Sequence, residues 1–244
     1  MSSNQKTAKI VGVLFLLAAL SAVIGLLLYD PILNSSDYLI KGSENANQVT
    51  LGALLELILV ISVIGTATTM FPILRKYNET IALWHVYFRF LEAVIITIGT
   101  ISVLSLLTLS QNFVTAGVAD ASSYQASGTL LKAIHDWTFM LGPLFMLGIN
   151  TIMYSYIFYK LKLVPRPLSI LGMSGAVMVF INALLVMFGV VEQLSAWGIM
   201  ALPIAAFEMI LAVWLLVKGF NESSLSSLSI IENDNRLAHA GRHH

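Results

Sequence analysis

The 244-residue chain is 57% hydrophobic and 11% charged, carries 13 basic and 13 acidic residues for a net charge of zero, and contains no cysteine. An ordinary soluble domain is about 25% charged, so with a mean hydropathy of +0.84 the solvent for this fold is lipid. Balanced charge gives no electrostatic footprint for nucleic acid. The lack of cysteine excludes disulfides, thiolate metal sites and cysteine nucleophiles.

The first apolar run, about residues 10–29, follows Lys6 and Lys9. It is longer than a secretory h-region, and "YDPILNSS" after it offers no small-residue cleavage site, so it reads as a retained span. Five more runs of about 18 residues or longer lie near 51–74, 81–109, 134–159, 168–191 and 197–217. Only helices and closed barrels satisfy every backbone group in lipid, and these runs lack the short alternating strands of a barrel. The expected fold is an all-α membrane protein: a six-transmembrane-helix bundle over residues 10–220, with a cytoplasmic N-terminus at 1–9 and a disordered cytoplasmic tail at 221–244. Spans one to three and four to six share no motif, so no inverted repeat is supported.

Two longer connections, about 30–50 and 110–133, are polar; in the second, Ser122 or Ser123 is placed to cap a short amphipathic helix lying on the membrane. On the opposite side the connections are short, and the two prolines of "KLKLVPRPL" stop span four and start span five. Lys6, Lys9, Arg75, Lys76, Lys160, Lys162, Arg166, Lys218, Arg236 and Arg242 fall on this side, whereas only Lys41 and Lys132 fall on the other. By the positive-inside rule both termini are cytoplasmic. Tyr29, Trp84, Trp137, Tyr159 and Trp197 lie near span ends, where interfacial aromatics collect. In the tail, His239, His243 and His244 are either a metal-chelating tract or an artificial addition.

The expensive residues are the ionisable ones inside spans. In "WHVYFRFLEAVIITIG", His85, Arg89 and Glu92 are spaced i, i+4, i+7 and share one helical face. At 1.5 Å per residue from Ile81 they lie about 6, 12 and 16 Å deep. An Arg facing lipid near midplane costs at least about 2.5–3.5 kcal/mol, so the stripe faces inward. Glu208 of span six reaches about 16 Å from the other side, level with Arg89 and Glu92. Glu56 of span two lies about 8 Å below the outer surface, in one layer with Asn182, while Asn150 comes level with His85. His135 and Asp136 stay at the outer edge of span four, as a helix start or a site.

Three carboxylates, Glu56, Glu92 and Glu208, face one guanidinium. Arg89 can pair bidentately with one of them and hold a second. A buried carboxylate left without a partner takes up a proton, and Glu56, farthest in depth from Arg89, is the expected one. Asn150 and Asn182 also suit the interhelical amide contacts common in membrane bundles.

His85 and His135, about 20 Å apart by depth, cannot share a metal whose ligand bonds are about 2 Å, and no H-E-x-x-H, nucleophile elbow or G-x-G-x-x-G loop is present. No metal or other cofactor is therefore expected. "HVYFRFLEAVIITIG" and "FEMILAVWLLVKGF" resemble the bacterial multi-pass proteins grouped as domain-of-unknown-function family 4386, over spans one to six and up to Phe220. The matching positions are the R-x-x-E of Arg89 and Glu92, and Glu208 with the W-L-L-x-K-G-F that follows. The resemblance implies a six-span protein of the bacterial inner membrane and carries no activity. Three readings stand beside it: a small-ligand, cation or proton site used for binding or transport, a sensor or accessory protein whose buried charges are a structural staple, and an intramembrane enzyme. The lipid bilayer is the expected partner, and the oligomeric state is open.

Overall fold

The computed structural model describes residues 2–116, 121–193 and 196–227. Within them the chain is helical: α1 (Ser3–Leu28), α2 (Asp30–Leu33), α3 (Tyr38–Glu44), α4 (Ala46–Leu74), α5 (Glu79–Ala116), α6 (Ala121–Phe139), a π-helical turn (Met140–Met146), α7 (Leu147–Leu161), α8 (Arg166–Met187), a 3-10 turn (Ala196–Ala201) and α9 (Leu202–Val217). Among the described residues six helical spans are long and apolar enough to cross a membrane: 3–28, 46–74, 79–116, 121–161, 166–187 and 198–217. The polarity pattern agrees with that. Ile61 is 69% exposed while Arg89 and Glu92 are each 3% exposed, the reverse of a water-soluble domain.

The spans close into a ring. α1 packs on α4 and α4 on α5; α5 packs on the π-helical turn and α7, these on α8, α8 on α9, and α9 back on α1. Span one starts earlier than its apolar run because Ser2 and Gln5 form a reciprocal capping box, Gln5 N donating to Ser2 Oγ and Ser2 N to Gln5 Oε1, both at 3.2 Å. Close approach between spans depends on small residues, as lipid-embedded helix packing requires. A Cβ on Gly175 of α8 would sit 2.6 Å from the Ile204 backbone nitrogen in α9. Gly175→Leu should therefore wedge α8 from α9 and lower stability by about 1–3 kcal/mol; an unchanged melting temperature in detergent would refute that contact.

The two longer connections differ from their expected form. At about 1.5 Å per residue the 38-residue α5 is far longer than a hydrocarbon core of about 30 Å, and its C-terminal turns carry structure beyond the bilayer. Residues 30–50 are not a loop but α2, α3 and the first turn of α4, packed through Ile32, Leu33 and Val49 onto Val103 and Leu106. The surface helix expected near Ser122 and Ser123 is instead the first half of span four, continuous from Ala121 to Leu161. It stands against protein rather than lying on lipid: Ser102 Oγ donates to the Leu131 carbonyl at 2.6 Å, Tyr38 Oη donates to the Gln125 carbonyl, and Lys132 Nζ sits 4.9 Å from the Tyr38 ring centre.

The tail, expected to be disordered from Asn221, is packed over its first residues. Asn221 N donates to the Leu163 carbonyl at 2.9 Å, Leu225 is buried in the core cluster shared with α1, α7 and α9, and Ser2 Oγ donates to Glu222 Oε1 at 2.6 Å. Apolar Leu225 within the serine-rich stretch supplies the burial that composition alone did not suggest. His239, His243 and His244 lie outside the described residues.

Candidate functional site

On α5 the i, i+4, i+7 stripe is buried: His85, Arg89 and Glu92 all face the ring's interior. Arg89 Nη1 donates to both carboxylate oxygens of Glu92, at 2.9 and 3.0 Å, and Nη2 lies 3.6 Å from Glu208 Oε1 on α9. The expected fork-to-fork pairing is thus replaced by one nitrogen bridging two oxygens. The three-residue spacing on one helix brings Glu92 alongside the guanidinium but does not align two parallel N–H···O bonds. Arg89 Nε has no hydrogen-bond partner.

Asn150 completes this layer from α7. Its Nδ2 donates to Glu92 Oε2 and to the Met146 carbonyl. Sequence depth set it level with His85; its side-chain amide bonds Glu92. Pro143, which lacks an N–H, sits in the π-helical turn that leads into α7. His85 lies below the charge cluster, fully buried. Its ring is edge-on to Tyr154 at 5.3 Å, and neither ring nitrogen has a partner in hydrogen-bond geometry.

A second polar layer surrounds Glu56. Tyr29 Oη donates to Glu56 Oε2 at 2.9 Å and Thr100 Oγ1 donates to the same oxygen at 2.7 Å. His135 lines a small void with Glu56 and Gly99, its Nδ1 lying 3.2 Å from Asp136 Oδ1. Tyr29, read from sequence as an interfacial aromatic, is instead fully buried. His135 belongs to the Glu56 layer rather than to an outer rim; Asp136 remains partly exposed beside it.

One cavity of about 130 Å³ touches both layers. Its polar wall includes Glu56, Arg89, Glu92 and Glu208, and its apolar wall includes Ala18 and Ala22 of α1, Val63 of α4 and Pro143 of the π-helical turn. The Glu208 side chain is 21% exposed, against 4% for Glu92, although both line this space. Asn182 does not line the cavity that Glu56 lines. It lines a separate cavity of about 250 Å³ with Glu192 and Val186, and Phe139 borders both cavities. Depth counting aligned Asn182 with Glu56 but carried no information about which way α8 turns it.

Tyr29 and Thr100 escaped the sequence reading because a tyrosine at a span end and a threonine within one are ordinary. A signal for the cavity was present in "GP" inside span four, since Gly/Pro interruption of an apolar segment marks backbone that lines a cavity. Residues 10–219 match the model of a family described as a domain of unknown function (DUF4386). The chain belongs to that family. No curated protein and no solved structure matches it. The DUF4386 match contains the whole cavity wall, from Phe15 to Glu208, and ends at Gly219.

Proposed function

We propose that this membrane protein binds a proton or a small organic cation in the cavity between Glu56 and Glu208, as the central step of binding or transport. The observation that carries the reading is that the charge cluster opens onto a cavity shared with Glu56. Arg89 and Glu92 form a packed pair whose charges cancel, leaving Glu56 and Glu208 as carboxylates in excess of the single guanidinium. Their need for a counter-charge selects a cation or a proton. The apolar wall suits an organic body, and an apolar cavity of about 150 Å³ is large enough for benzene. The Asn182 and Glu192 cavity, divided from the central one by Phe139, supports access from the outer end.

The proposed location is the bacterial cytoplasmic membrane with both termini inside, supported by the asymmetry of basic residues. Reporter fusions at Lys41 and Lys160 should report opposite sides, with Lys160 cytoplasmic. A cytoplasmic Lys41 overturns the orientation.

The staple is the second reading, supported by the near-complete burial of Arg89 and Glu92. Thermal unfolding in neutral detergent across the neutral pH range separates the two. Deprotonating Glu56 adds a negative charge that Arg89 does not cover, so the melting temperature should fall as pH rises. Glu56→Gln keeps an oxygen that can accept from Tyr29 and Thr100 and should flatten this fall. Identical profiles for the two proteins remove Glu56 as the titrating group and favour the staple.

A further inference from the structure

At the end of the bundle that carries the chain's N-terminus, three helix ends converge on a cavity of about 440 Å³. Lys162 is the C-cap of α7, Lys218 the C-cap of α9, and Arg166 the first residue of α8; all three line the cavity, together with Trp214 and Asn221. All three cations are exposed, and none has a carboxylate within salt-bridge distance among the described residues.

Helix dipoles account for two of the three. A lysine at a helix C-terminus complements the partial negative charge there, which explains Lys162 and Lys218. Arg166 has no such excuse: it stands at the N-terminus of the 22-residue α8, where the dipole disfavours a cation and favours an anion. Its guanidinium lies 5.1 Å from the Tyr159 ring centre, a stacking contact that holds the plane while leaving its N–H edge open to oxygen acceptors. The floor beneath is fixed. Lys162 adopts left-handed φ of 53°, Gly219 has φ of 74°, and Asn221 N ties the segment after α9 to the Leu163 carbonyl. Leu163 and Phe220 are buried under the basic rim.

We propose that this pocket binds a phosphate group, presented by the headgroup of an anionic phospholipid. Three unpaired cations suit phosphate oxygens; the α8 N-terminus adds its dipole but few backbone donors, since Pro167 has no N–H and Leu168 N and Ser169 N already donate to the Pro165 carbonyl. The pocket's position favours a lipid as the source: Ile170, one turn along α8 from Arg166, and Val213 and Val217 on α9 are exposed apolar side chains running from the basic rim along the bundle's outer face. Acyl chains would lie along these residues while the headgroup meets the cations, as in basic pockets at the cytoplasmic ends of spans.

The test uses the full chain in neutral detergent, titrated with phosphatidylglycerol, with phosphatidylcholine of the same acyl chains, and with glycerol 1-phosphate, reading the melting temperature at fixed salt. Phosphatidylglycerol should stabilise the native protein in a saturable way, and the neutral lipid should do so far less. Lys162→Gln/Arg166→Gln/Lys218→Gln should bind phosphatidylglycerol about 100-fold more weakly, at about five-fold per cation. Its melting temperature in phosphatidylcholine should fall slightly, as the dipole-complementing charges of Lys162 and Lys218 are lost, and the response to phosphatidylglycerol is read as the increment above that baseline. Should the triple variant misfold, Arg166→Gln alone provides the same comparison with a smaller loss. Equal responses to the two lipids, or an undiminished response in the variants, overturn the site. Stabilisation by glycerol 1-phosphate equal to that by phosphatidylglycerol overturns the lipid as the source.

Discussion

Arg89→Leu should destabilise the folded protein by about 3–5 kcal/mol, among the largest effects expected of a single substitution in the bundle. The guanidinium is the one cation within reach of both Glu92 and Glu208 among the described residues. Removing it leaves Glu92, 3% exposed, with only the Asn150 amide beside it. An uncompensated buried charge is expensive, whereas replacing a whole buried pair by apolar groups is often neutral. Arg89→Leu/Glu92→Leu should therefore recover most of the stability lost in the single variant. Chemical unfolding in mixed micelles measures both. A single-variant loss below about 1 kcal/mol would place Arg89 among solvent-screened pairs and contradict its burial.

The fold was legible because lipid imposes a simple rule. Runs of about 18 apolar residues give spans almost regardless of context, since each helix satisfies its own backbone. What lies beyond the bilayer follows no such rule. Residues 30–50 look like a polar loop, yet Ile32 and Val49 bury there against Leu106 of span three, a pairing between distant segments that periodicity cannot encode. The same limit applies to the site. Arg89, Glu92 and Glu208 could be grouped from sequence because charge inside a span must face inward and because helix rise sets their depth. Asn182 could not be placed, since depth does not give direction. Asn150 was set level with His85, and only the folded chain shows its side-chain amide bonding Glu92. Tyr29 and Thr100 have no charge to announce them; only the folded position of Glu56 identifies them as its donors.

The two carboxylates that share Arg89 should separate on substitution. Glu92→Gln should cost about 3–5 kcal/mol, because Glu92 accepts from Arg89 at both oxygens and from Asn150, all within a packed interior. A glutamine there turns an NH₂ group toward donors that need an acceptor. Glu208→Gln should cost about 1 kcal/mol or less, since its 3.6 Å approach to Arg89 is longer than a hydrogen bond and its side chain borders open space. If Glu208 belongs to the binding half of the site, its substitution should instead weaken the pH dependence of the melting temperature while leaving the fold nearly as stable as the native protein. This division separates the two readings within one cluster: on the proposed function, Arg89, Glu92 and Asn150 would hold the helices in register, and Glu208 with Glu56 would meet what enters the cavity. Equal losses of stability in Glu92→Gln and Glu208→Gln, with the pH profile untouched in both, would make all three charges a staple and leave the cavity without a binding role.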